Sequence, residues 1–177
     1  MYKDLKNKDL INAVNERFRI NAEIHPDRLN SRMNLKLVSC DWDNRTMEFS
    51  FIPDELSLNP YGQVHGGMAC CVIDYAGGAG TFALTGALVS TIDLSVTYLK
   101  PMAAEKYIVK IEYTHIGSRV VNCTGRMIDG ETGEIYVTSM VSYMLTVIDP
   151  EKGGRLSQGY ADAKGLGMME RIGLRPE

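Results

Sequence analysis

Between Gly66 and Ile92 the chain carries a single formal charge, Asp74. A stretch so long and so poor in charge belongs either in the hydrocarbon of a membrane or in the interior of a protein. The run contains Gly66, Gly67, Gly77, Gly78, Gly80 and Gly86, which lower both its helix propensity and its hydrophobicity. An acid at a bilayer centre costs on the order of 3 kcal/mol, and no aromatic belt or Lys/Arg cluster follows to anchor a span. The reading that fits is a core helix from about Val64 to Leu84, surrounded by protein.

The flanking segments supply that surrounding. Residues 8–24 place Leu10, Ile11, Val14, Phe18 and Ile20 at near-helical spacing, with Asn7 or Asp9 suited to cap the start and His25-Pro26-Asp27 ending the segment. Residues 33–42 alternate, with Met33, Leu35 and Leu37 on one face and Lys36 and Ser39 off it. Asp43-Asn44 forms a turn, and Arg45 to Ile52 returns as a strand with Met47, Phe49 and Phe51 in phase. Pro53 to Gly62 reads as a loop. After the central helix come four strand-like segments, near 90–100, 106–116, 119–129 and 134–147, broken by Gly117-Ser118 and Asp129-Gly130-Glu131-Thr132-Gly133. Helix, two strands, apolar helix and four strands make an α+β design, an antiparallel sheet curling around the central helix. Residues 1–148 are read as one domain with an N-terminal helix. Residues 149–177 are read as a tail of unassigned role, with a linker at Asp149 to Gly154 and a short helix around Ala161 to Arg171.

Composition removes several classes of function. A net charge of −3 supplies no basic field for nucleic acid and no polybasic patch for anionic lipid. The four cysteines, at 40, 70, 71 and 123, form no C-x-x-C pair and the three histidines are scattered, so no metal site is expected. Free thiols suit a reducing compartment. The segment Met1 to Lys8 is polar and mixed in charge with no apolar run behind it, so no secretory leader is expected and the cytoplasm is the default location.

Two features of the central run carry chemistry. Gly66-Gly67 opens the helix, where unpaired N–H groups and the partial positive charge of the helix end stabilise developing negative charge. Glycine lets a substrate approach that backbone, which is how an oxyanion hole is built from main chain. The simpler reading is close packing of the helix start against a strand. Asp74, the lone acid, is either a catalytic carboxylate or a structural one with a buried partner. Eight residues separate Gly66 from Asp74, or about 12 Å of helix. One small carbonyl cannot touch both, so a shared role requires the acid of a second copy. A homodimer with two equivalent sites follows, with a dimer of dimers as its extension.

The run Asn59-Pro60-Tyr61-Gly62-Gln63-Val64-His65-Gly66-Gly67, continuing to Asp74, resembles the hotdog-fold acyl-CoA thioesterases of the phenylacetate-pathway (PaaI-type) group. Those proteins have an Asn six residues before His-Gly-Gly and an Asp nine residues after the His. The strand Ser90 to Pro101, with its Tyr98-Leu99-Lys100-Pro101 ending, is also similar, and the likeness extends over roughly 33–147. The resemblance implies a hotdog fold and thioester hydrolysis of an acyl-CoA, with CoA part of the substrate and no separate cofactor or metal. It implies Asp74 as general base or nucleophile, and Gly66 or Gly67 as the oxyanion donor. Asn59 would orient the water or the carbonyl, His65 would hold the loop or polarise the carbonyl, and Thr91 would stand beside the acid. Arg119 and Lys100 are candidates for CoA phosphate contacts, although each reads more readily as a solvated surface charge. Tyr61 and Met68 are candidates for the acyl pocket. Two rivals stand beside this reading: a hotdog hydratase or dehydratase, and a non-catalytic acyl-CoA-binding regulator. The acyl group is left open.

Overall fold

The computed structural model describes residues 7–146. The linker expected at 149–154, the short helix expected at 161–171 and the rest of the tail lie outside the described residues.

Helix α1 (Asn7–Ile24) buries Leu10, Val14 and Ile20, following the spacing of its apolar residues. Asn7 and Asp9 both lie inside the helix as described, so neither caps it from outside. A four-residue helix, α2 (Leu29–Arg32), follows. It was not expected, because four residues carry no periodicity to read. The remaining elements are β1 (Lys36–Asp41), β2 (Thr46–Phe51), a single 3-10 turn (Glu55–Ser57), α3 (Gly66–Thr85), β3 (Leu88–Tyr98), β4 (Tyr107–Ile116), β5 (Val120–Asp129) and β6 (Ile135–Thr146). The strands form one antiparallel sheet in the order β1-β2-β4-β5-β6-β3. This is the expected α+β arrangement, with α3 against one face of the sheet.

Alternation along β4, β5 and β6 points Tyr107, Val109, Ile111, Tyr113, Val121, Cys123, Met127, Val137, Val141 and Tyr143 inward. They meet Ala69, Val72, Ile73 and Ala76 of α3, each fully buried. Met33 and Leu35 are buried as expected but precede β1 itself. Strict alternation from Leu37 would have sent Ser39 inward. A bulge between Leu37 and Ser39 shifts the register and gives the core position to Cys40.

The sheet grips α3 by its backbone. Tyr143 Oη donates to the Asp74 carbonyl at 2.9 Å, and Tyr113 Oη donates to the Gly77 carbonyl at 3.0 Å. A Cβ on Gly77 would fall on the Tyr143 hydroxyl, and one on Gly80 would fall on that of Tyr113. The glycine-rich middle of α3 is thus the seat for two strand tyrosines. The helix ends at Gly86, whose φ of +71° is the left-handed cap that glycine adopts freely.

In one respect the expectation is corrected: α3 is not surrounded. By length and hydropathy α3 meets the measure of a membrane span, yet 56% of its apolar window is buried in the fold. Helix α1 covers another part, with Phe18 packed on Tyr75 at 5.1 Å between ring centroids and the Arg17 guanidinium 3.7 Å from the Phe82 centroid. Gly67 stays exposed, and Cys70, Cys71 and Asp74 stay only half-buried. Their spacing of three or four residues makes them a single open stripe.

The two edges of the sheet differ. At β1 the Asn15 side chain clamps Leu37, donating from Nδ2 to its carbonyl at 2.8 Å and accepting its N–H on Oδ1 at 2.9 Å. At the other edge β3 has no strand beyond it among the described residues. Ser90 to Asp93, Ser95, Thr97 and Tyr98 of β3 are exposed.

Candidate active site

The site begins in the loop before α3. Asp54 and Ser57 form a reciprocal capping box on the 3-10 turn. The Ser57 carbonyl then accepts the His65 N–H at 2.8 Å, and the Met102 carbonyl accepts that of Val64 at 2.9 Å. Within the loop, Asn59 Oδ1 accepts the N–H groups of Tyr61 at 2.9 Å and Gln63 at 3.2 Å. Both bonds use the carbonyl half of the amide, so the amide nitrogen is the half suited to meet a ligand.

His65 is the N-cap of α3, and its Nδ1 accepts the Gly67 N–H at 2.9 Å. That bond separates two residues the sequence could not rank. The Gly67 N–H is committed to His65, which leaves the Gly66 N–H as the candidate oxyanion donor. Gly66 lines a cleft of about 440 Å³ together with Gln63, Val64, Tyr98, Lys100 and Met102. Its carbonyl accepts the Tyr98 hydroxyl at 2.6 Å.

The acid lies two turns along the helix. Thr91 Oγ1 donates to Asp74 Oδ1 at 2.7 Å, bringing together two residues that the sequence linked only through the family resemblance. The bulge in β3 between Thr91 and Asp93 re-aims the strand at this point. Burial, then the nearby Cys70 and Asp74, push the Cys71 thiol up; burial and then Asp74 push Cys123 up to about 12. Thiolates are disfavoured at both positions.

The expected site is therefore divided within one chain. Asn59, His65, Gly66, Gly67 and Lys100 gather at the start of α3, whereas Asp74 and Thr91 sit further along. Arg119 belongs to the Asp74 end: its carbonyl accepts the Leu145 N–H, and Leu145 pairs with Val89 of β3. Lys100 is at the opposite end of that strand, where its Nζ pairs with Glu134 at 2.9 Å and lies 5.2 Å from the Tyr136 ring centroid. Tyr61 is 86% exposed at the loop tip, whereas Met68 is partly buried against the core and serves packing as well. Three tyrosines escaped the sequence reading. Tyr98, Tyr113 and Tyr143 look like ordinary strand formers, and only the unexplained glycines of α3 hinted that something crosses there. No cluster of three or more His, Cys, Asp or Glu that could hold a metal occurs among the described residues.

Residues 61–136 match the sequence profile of the Thioesterase superfamily. No curated protein matches the chain in sequence. Among solved structures, it is similar to zebrafish thioesterase superfamily member 2, with 18% identity over 77% of this chain and 98% of that one and a TM-score of 0.67. It is similar also to a thioesterase from Haemophilus influenzae, with 13% identity, 77% and 94% coverage and a TM-score of 0.66. A phenylacetic acid degradation-related protein from Ralstonia eutropha aligns with 22% identity, 75% and 98% coverage and a TM-score of 0.61. With its antiparallel sheet, its central helix and these likenesses, the chain has the hotdog fold of the thioesterase superfamily.

Proposed function

We propose that the chain is an acyl-CoA thioesterase of the phenylacetate-pathway type, hydrolysing the thioester to a free acid and CoA. The observation that carries this reading is the Asp74–Thr91 pair, an acid in an apolar helix oriented by a hydroxyl 2.7 Å away on the open side of that helix. Asp74 takes a proton from the attacking water or attacks the carbonyl itself. The Gly66 N–H receives the oxyanion, while the Asn59 amide nitrogen and His65 contact water or carbonyl. The thiolate leaves readily, so neither a strong general acid nor a metal is required.

The site is completed by a second copy. Pairing β3 with its own two-fold mate, centred on Ser95, sets Thr91 opposite Tyr98 of the other chain, because the bulge between Thr91 and Asp93 absorbs one residue. Because Thr91 marks the Asp74 end and Tyr98 marks the Gly66 end, that register brings each acid to the other chain's oxyanion donor. It also covers the open stripe of α3 and brings Arg119 of one chain toward the Lys100 end of the other. CoA phosphate would compete with Glu134 for Lys100. A dimer of dimers extends this assembly. Four free cysteines suit the reducing cytoplasm, where we place the protein.

Thiol release from a panel of aromatic and straight-chain acyl-CoAs, with Asp74→Asn beside the wild type, tests the reading. Turnover lost in the variant supports it and names the acyl class. A silent panel with acyl-CoA still bound points to a binding regulator instead.

A further inference from the structure

Tyr98 was not among the residues expected at the site, yet its hydroxyl is a hub at the start of α3. It donates to the Gly66 carbonyl at 2.6 Å, and Cys70 Sγ lies 3.1 Å from the same oxygen. A phenol has one proton. With that proton committed to Gly66, Oη accepts from the Cys70 thiol. The Gly66 carbonyl and the Gly67 N–H belong to one peptide group, and that N–H donates to His65 Nδ1 at 2.9 Å. An imidazole nitrogen that accepts carries no proton, so the neutral ring holds its hydrogen on Nε2.

These contacts form one directed chain: thiol to phenol, phenol to peptide, peptide to imidazole. Hydrogen bonds in series polarise one another in the same sense. The chain ends on an exposed ring beside the cleft that Gly66 and Tyr98 line. Gly66 also makes room for it, since a Cβ there would sit 3.1 Å from Tyr98 Oη and 3.2 Å from Cζ.

We propose that Tyr98 is a positioning residue that holds the Gly66–Gly67 peptide so that His65 presents a hydrogen-bond donor, its Nε2–H, to the substrate carbonyl. The role in turnover rests on the hydrolase reading; the effect on the ring does not. Tyr98→Phe keeps the ring against Gly66 and removes only the hydroxyl. The test is the ¹⁵N spectrum of histidine-labelled protein at a pH where the ring is neutral, with His65 assigned against His25 and His115 by a His65→Gln variant. Wild type should show an unprotonated Nδ1. Tyr98→Phe should show a tautomer mixture, with kcat lowered roughly three- to tenfold, the rate equivalent of one net hydrogen bond, and little change in KM. A wild-type proton on Nδ1, or an unchanged His65 spectrum in Tyr98→Phe, overturns the proposal whether or not any acyl-CoA is turned over. Should the variant fail to fold, the wild-type spectrum decides.

Discussion

Gly78 and Gly80 lie two residues apart in α3, and replacing each with alanine should move stability in opposite directions. A Cβ on Gly78 meets Val89 Cγ2 at 3.4 Å and Tyr143 Cε1 at 3.7 Å, which is ordinary contact. Alanine there gains about 0.5–1 kcal/mol of helix preference with nothing to displace. A Cβ on Gly80 lands on the Tyr113 hydroxyl and 2.9 Å from Met47 Sδ. Tyr113 is 2% exposed and cannot swing into solvent, so overpacking costs about 1–3 kcal/mol. Its bond to the Gly77 carbonyl is lost as well, for about 1 kcal/mol; that carbonyl keeps the Thr81 hydroxyl at 2.8 Å and is not orphaned. The helix gain of about 1 kcal/mol offsets part of this. The net is about 1–3 kcal/mol of destabilisation for Gly80→Ala. At about 2–4 °C per kcal/mol, Tm should fall by about 2–12 °C for Gly80→Ala and rise by about 1–4 °C for Gly78→Ala. Thermal unfolding by circular dichroism measures both. Equal shifts in the two variants, or a neutral Gly80→Ala, would refute the assignment of this run as a tyrosine seat.

Asp74→Asn retains an oxygen to accept from Thr91 and loses the charge, so kcat should fall about 10²- to 10⁴-fold with Tm nearly unchanged, measured by thiol release and calorimetry. Thr91→Val removes that donor where both groups are partly solvated, and kcat should drop about three- to tenfold; full activity would show that the acid needs no orienting. Asn59→Ala unties the N–H groups of Tyr61 and Gln63 and should speed proteolytic nicking of that loop, followed by mass spectrometry of the fragments. Burial raises Cys40 to about 11 and Cys123 to about 12 from an ordinary 9.0. Folding therefore favours their protonated forms, a contribution complete below pH 9 and lost as pH rises through the folded values. Denaturant midpoints should decline above pH 9, and less so in a Cys123→Ala background.

Much of this architecture was legible because the relevant signals are local. The lone charge between Gly66 and Ile92 announced a core helix, and the phases of Met47, Phe49 and Phe51 fixed the inward face of β2. The spacing of Asn59, His65 and Asp74 pointed to the candidate site. What stayed hidden depends on contacts between distant segments. No periodicity reveals that Tyr113 and Tyr143 bond to the backbone of α3, since a strand tyrosine and a packing tyrosine look alike in sequence. The bulge that hands the core position from Ser39 to Cys40 leaves no composition mark. The choice between Gly66 and Gly67 as donor turned on which nitrogen the His65 ring occupies, a matter of side-chain direction rather than residue type.

The clamp of Asn15 on Leu37 bears on how copies of this chain can associate. It fills the backbone donor and acceptor of Leu37 on the β1 edge from within the chain, at the point where a bulge already breaks the strand's regularity. A sheet open at both sides can recruit copy after copy and grow into a fibre. Here the β1 edge is occupied at Leu37, so strand addition is favoured at β3 over β1. The N-terminal helix thus hinders strand addition at β1, and its loss would free the Leu37 donor and acceptor for another strand.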